Sequence, residues 1–231
     1  MLRLDRFLSN ATALTRSQAQ RALRAGRVTV EGEVVRQGAA RVPLDAQVLL
    51  DGEPVAPPRP RYLMLHKPPG VVCATEDPSH RTAIDLLDLS NPSGLHFAGR
   101  LDIDATGLVL ISDDGQWSHR ITAPTKACGK RYRVGLERTL ETADIRRLQV
   151  GVLLHGEKRP TLPARVEVVA PKKCFITISE GRYHQVKRMF AAVGNHVVTL
   201  HRESIGALSL DPVLGPGEFR DLTDAEIALF S

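Results

Sequence analysis

Near the start of the chain, Leu4, Phe7, Leu8 and Ala11 recur at helical spacing, which predicts a first helix with one apolar face. Thr15 and Gln18 then form a capping-box pattern that opens a second helix. Its apolar stripe is Ala19, Ala22 and Leu23, and Gly26 is a natural stop. After it the period changes from helical to alternating. Val28-Thr29-Val30 reads as a strand, Glu31-Gly32 as a turn and Val34-Val35 as the returning strand of a hairpin. A further short strand is expected at Val48-Leu49-Leu50. Two helices followed by a small sheet make a compact module over residues 1–51.

Residues 52–60 carry four prolines and no hydrophobic period, so they read as a semi-extended linker. From residue 61 the elements lengthen. Strands are expected at 61–66, 71–74, 108–112, 131–136, 164–169, 174–179 and 196–200. Helices are expected at 82–87, 115–121, 141–150, 183–193 and 223–229. They intermix without regular βαβ spacing and without a glycine-rich phosphate loop. The pattern predicts an α+β chain in which residues 61–231 form a larger domain on a mainly antiparallel mixed sheet with flanking helices.

Composition narrows the class. The chain has 231 residues, 42% hydrophobic and 25% charged, as expected of an ordinary globular protein with room for a real core. No apolar run approaches the roughly 20 residues needed to span a bilayer. Residues 1–7 lack the apolar core and small-residue cleavage site of a signal peptide, which places the expected location in the cytoplasm, away from membranes. Three scattered cysteines (Cys73, Cys128 and Cys174) fit reduced thiols, and no CxxC or HxxxH spacing calls for a metal. A monomer is the default expectation.

The distribution of charge says more than the net +5. Residues 1–50 hold eight arginines against four acids, among them Arg3, Arg6, Arg16, Arg21, Arg24 and Arg27. A basic face on a small module points toward phosphate backbones, although a merely solvated surface would carry the same charge.

Chemistry concentrates in the second domain. The run Gly99-Arg100-Leu101-Asp102-Ile103-Asp104 places an arginine and two carboxylates in five residues, ahead of an apolar strand. A carboxylate beside a guanidinium stays ionised and oriented, as a nucleophile or general base requires. An acid pair that cleaves glycosidic bonds and a simple loop cap fit the same residues. Further spaced oxygen ligands for calcium are lacking. Leu65-His66-Lys67-Pro68-Pro69-Gly70 marks a sharp bend after a strand. Lys130-Arg131-Tyr132 puts an aromatic ring behind two cations. In the last segment, Val186, Met189, Phe190 and Val193 form a helical core stripe, while His184, Lys187 and Arg188 share a polar edge.

Together these segments resemble the RNA pseudouridine synthases. Asp102 stands at that family's essential aspartate, with Asp104 in a structural part and Arg100 near the RNA. Lys67-Pro68-Pro69-Gly70 is similar to its supporting turn, and Lys130-Arg131-Tyr132 to the Lys-x-Tyr motif whose tyrosine stacks on the target base. Gln185-Val186-Lys187-Arg188-Met189 resembles the segment whose first basic residue pairs with the aspartate. Here that residue is Lys187 where arginine is commoner, which supplies charge without a bidentate fork. Residues 1–50 resemble the αL-type RNA-binding domain, through Arg3-Leu4-Asp5-Arg6-Phe7-Leu8, Ser17-x-Ala19-x-Arg21 and Gly26-Arg27-Val28-Thr29-Val30. The resemblance implies isomerisation of a uridine within RNA by a flipped-nucleotide mechanism needing no cofactor. The segment Gly181–Glu203 is most similar to members that act on small-subunit (16S) ribosomal RNA, free or in an assembly particle. A large-subunit enzyme of the family, or a non-catalytic ribosome-assembly factor on the same scaffold, is the alternative.

Overall fold

The computed structural model describes residues 1–89, 91–123 and 128–230. Contacts divide the chain into two compact units, Met1–Arg61 with Asp88–Leu95, and Tyr62–Leu87 with His96–Ser231.

The first unit begins with β1 (Leu2–Arg3), α1 (Leu4–Ala11) and α2 (Arg16–Arg24). The capping box at α2 forms as expected: the Thr15 hydroxyl accepts from the Gln18 amide, and the Gln18 side chain accepts from the Thr15 amide. β2 (Val28–Val30), β3 (Glu33–Val34), β4 (Arg41–Val42), β5 (Val48–Leu50) and β6 (Glu53–Val55) follow. β1 pairs with β4, and the rest form a sheet in the order β3-β2-β5-β6. The two predicted apolar stripes meet in one core with Val28, Val42, Ala46 and Val48.

The linker expectation needs correcting. Glu53–Val55 is an edge strand on β5, with Leu49 opposite Pro54. Asp51 and Gly52 both take positive φ (55° and 84°), the geometry of a two-residue hairpin turn. Pro54 is tolerated because β6 lies at the sheet edge, where its missing N–H breaks no second ladder. The prolines masked a hairpin that Asp51-Gly52 announces.

The second unit holds β7 (Tyr62–Lys67), β8 (His96–Phe97), β9 (Thr106–Ser112), α3 (Gly115–Thr122), β10 (Lys130–Leu136), α4 (Thr142–Val150), β11 (Arg165–Ala170) and β12 (Lys173–Ile178). It continues with α5 (Gln185–Ala192), β13 (Val197–Ile205), β14 (Leu208–Ser209), β15 (Phe219–Asp221) and α6 (Asp224–Ala228). Among the described residues one sheet runs β11-β12-β10-β13-β9-β7-β15, with β14 on β13 and β8 on β9. Every pairing is antiparallel except that of β9 with β13. Trp117 and Ile121 of α3 pack with Met64, Leu108, Leu110, Ile205 and Phe230 into the core on one face.

Two local expectations differ. Residues 71–74 form no strand, only a bridge from Val72 to Thr82, because Gly70 (φ 83°) turns the chain immediately before them. Residues 82–87 hold only a 3-10 turn at Ile84–Leu86, closed by reciprocal bonds between Thr82 and Asp85.

The parallel seam depends on one glycine. Gly107 lies opposite Arg202 with φ 106°, and a Cβ there would sit 2.3 Å from the Arg202 carbonyl oxygen. No side chain fits that approach, so glycine is obligatory.

Candidate active site

Asp102 lies in the loop between β8 and β9, and the surrounding fold fixes the backbone of that loop. Lys67, at the end of β7, is fully buried. Its ammonium donates to the carbonyls of Ala105 (2.7 Å), Pro68 (3.0 Å) and Ile103 (3.2 Å). Burial pushes its pKa down, while the thiol of Cys73 and the carboxylates of Asp104 and Asp102 oppose that shift. The Gly70 amide also donates to Ile103 O, the Leu101 amide to Cys73 Sγ, and Arg202 Nη1 to Arg100 O. A loop tied at this many points holds its carboxylate in one place, which is what a reacting group requires.

α5 supplies the charges that face it. Lys187 Nζ lies 3.3 Å from Asp102 Oδ2 and 2.6 Å from Asp104 Oδ1. Burial works against the charge on Lys187, but the hydrogen bond to Asp104 and the field of both carboxylates prevail and raise its pKa. The Lys187 hydrogen bond in turn lowers the pKa of Asp104. The resemblance assigned this lysine to Asp102 alone. Its point charge bridges both carboxylates and sits closer to Asp104, as an ammonium without a planar fork can do.

Arg100, Asp102 and Tyr132 line one cleft of about 720 Å³, together with Lys130, Tyr183, His184 and Arg202 among others, and Lys187 joins it through its contact with Asp102. Its size suits a nucleoside. Tyr132 on β10 is 6% exposed and stands opposite Arg202 in register, beside a β-irregularity between Arg131 and Tyr132. Bulges of this kind re-aim side chains next to sites. Arg100 is exposed at the mouth and makes no ion pair among the described residues.

Sequence reasoning left His184 and Arg202 without a role. His184 Nε2 is 3.5 Å from Asp102 Oδ1, a contact foreshadowed by its i, i+3 spacing with Lys187. Arg188, on the same predicted edge, turns away to Glu157 and to the carbonyls of His155 and Tyr183. Arg202 is buried under the cleft, with Nε on Leu108 O and Nη1 3.5 Å from the Tyr132 hydroxyl. An arginine facing inward from a strand has no local sequence signal.

This arrangement resolves what the carboxylate pair left open. Asp102 is half-buried at a nucleoside-sized cleft beside a cation and an aromatic wall. Asp104 is 65% exposed and does not line that cleft, so the two carboxylates are not placed as a matched pair. Residues 61–192 match the RNA pseudouridylate synthase family. The chain belongs to that family. Residues 2–48 match the S4 domain, the RNA-binding module expected from the arginine-rich start. Ribosomal small subunit pseudouridine synthase A of Escherichia coli (strain K12) is 54% identical over 98% of this chain and 99% of its own length. The protein of that name from Vibrio cholerae is 49% identical over 98% of each chain. A crystal structure of a pseudouridylate synthase superposes over 100% of both chains with a TM-score of 0.73 and 46% identity.

In the S4 unit of this synthase the six arginines divide. Arg3 and Arg16 reach the buried carboxylate of Asp5, which Gln20 also bonds, and Arg27 pairs with Asp51. Arg21 and Arg24 on α2 make no ion pair among the described residues. Arg6 is exposed on α1. Arg3, Arg16 and Arg27 are therefore also engaged in holding the unit together.

Proposed function

We propose that this synthase converts a uridine of small-subunit (16S) ribosomal RNA to pseudouridine in the cytoplasm, acting as a monomer with Asp102 as its catalytic residue. The observation that carries the reading is that Asp102 and Tyr132 line one nucleoside-sized cleft while Lys187 pairs with Asp102, three residues from distant segments of the chain. The choice of small-subunit RNA follows relatives that match end to end and bear that name.

The S4 unit and Arg100 hold the RNA chiefly through phosphates. The target nucleotide turns out of its stack at a cost of a few kcal/mol, least where the uridine is already in a loop. Tyr132 faces the extruded base, and Lys187 keeps Asp102 aimed. Asp102 assists cleavage of the bond between N1 of uracil and the ribose, the uracil rotates within the cleft, and its carbon 5 bonds to the ribose, losing its proton to solvent while N1 takes one up. Substrate and product have the same composition, the carbon-5 proton being exchanged with solvent, so the overall reaction consumes no co-substrate.

Mapping pseudouridines by carbodiimide-dependent reverse-transcription stops in a deletion strain tests the assignment. One small-subunit stop should disappear and return with the wild-type gene but not with Asp102→Asn. A lost large-subunit stop would move the target, and an unchanged map would leave a non-catalytic assembly factor as the better reading.

A further inference from the structure

Tyr183 is 72% exposed and is the one exposed phenylalanine, tyrosine or tryptophan among the described residues. Its ring stacks on His184 at 3.8 Å between centroids and 18° between planes, and both residues line the cleft. His184 in turn reaches Asp102, so a single imidazole separates the bare tyrosine ring from the catalytic carboxylate.

The pair is held in place rather than loosely displayed. His184 has φ 47° and ψ 36°, a left-handed conformation that a residue with a side chain adopts at a cost. The neighbouring bonds enforce it. Arg188 Nη1 donates to Tyr183 O, the Arg182 amide to Gln185 Oε1, and the Arg182 guanidinium to the carbonyls of Arg159 and Pro160. Strain kept at the mouth of a cleft by such a brace, presenting an aromatic face to solvent, is a feature of binding surfaces.

Resting on the function proposed above, we propose that Tyr183, backed by His184, is a stacking platform for the nucleobase next to the target uridine. One face of the tyrosine is taken by the imidazole, and the other is open to a base. When the target nucleotide is turned out toward Asp102, its neighbour loses a stacking partner, and Tyr183 replaces it at the rim. Every base has a π-face, so the platform binds without reading sequence. It therefore strengthens binding of RNA whose nucleotide is already extruded, and takes no part in bond breaking.

The test compares Tyr183→Ala and Tyr183→Trp in the full chain, with tritium release from 5-tritiated uridine in small-subunit ribosomal RNA. Tyr183→Ala should raise KM about ten-fold, within the roughly five- to 150-fold that base–aromatic stacking supplies. Its kcat should stay within about two-fold, and Tyr183→Trp should restore KM. A direct readout uses an RNA loop carrying the target uridine, with 2-aminopurine on its 5′ or 3′ side. Bound to Asp102→Asn protein, one of the two labels should be quenched, and adding Tyr183→Ala should brighten it. Unchanged KM and unchanged emission, with an active wild-type protein, would overturn the platform alone. A wild-type protein that makes no pseudouridine would count instead against the function.

Discussion

Lys67→Met isolates what the buried ammonium contributes to the Asp102 loop. The thioether keeps most of the stem volume, so the core around β7 stays filled. Ile103 O keeps the Gly70 amide as a donor, whereas Pro68 O and Ala105 O lose the one Lys67 supplied. Each buried acceptor left unpaired costs about 1–3 kcal/mol, and removing a buried charge returns part of that. A net loss of about 2 kcal/mol follows, or about 4–8 °C in Tm for a chain of this size. Activity should suffer more, because a displacement of the carboxylate by about 1 Å costs on the order of a hundred-fold in rate. Thermal denaturation by circular dichroism and tritium release on the same preparations measure both. The pH dependence gives an independent check. Burial depresses the folded pKa of Lys67 below the ordinary lysine value. Between the two values the folded chain binds fewer protons than the unfolded one, so wild-type stability rises with pH relative to Lys67→Met in that window. A variant as active and as stable as wild type would refute the anchoring role.

Gly107→Ala should lower stability by about 3–5 kcal/mol, read as the urea midpoint at constant slope, because the new methyl meets the Arg202 backbone at a positive φ; a loss below about 1 kcal/mol would contradict the close approach. Glu226 bonds Arg220 through both oxygens, and that hydrogen bonding, against some burial, pulls its pKa down to about 2. Its stabilisation is full above the ordinary glutamate value and is lost as pH falls toward about 2, so wild type should exceed Glu226→Gln by about 2 kcal/mol at pH 7, with the gap closing in acid. Equal gaps at pH 7 and pH 3 would contradict it. Replacing Arg21 and Arg24 together by glutamine should flatten the salt dependence of RNA binding by roughly 0.7–0.9 log units for each phosphate that is no longer neutralised, measured by filter binding, with unchanged thermal stability. An unaltered slope would remove these two side chains from the RNA face.

Much of the fold was legible locally. The stripes of α1 and α2, the Thr15–Gln18 cap, the hairpin at Glu31-Gly32 and the long strands of the second unit all lie where period and punctuation put them, because those signals act over a few neighbouring residues. β6, β8 and β15 escaped because their two or three residues carry a proline or charged or polar side chains and lack the apolar pattern that marks the equally short Val28–Val30 and Val48–Leu50. Their partners define them as strands: β5, β9 and β7 supply hydrogen bonds that isolated segments would lack. By itself, the sequence determined the kinds of group available: a carboxylate that can react, a cation to orient it, a tyrosine to face a base and a basic module for RNA. Their meeting is a tertiary decision. Asp102 and Lys187 are far apart along the chain and come within 3.3 Å because β9 and β13 pair in parallel through Gly107, with Tyr132 brought alongside by β10. The same packing buries Lys67 and Arg202 and forces His184 into its left-handed turn. No local pattern encodes these outcomes, because each depends on what the rest of the chain places against the residue.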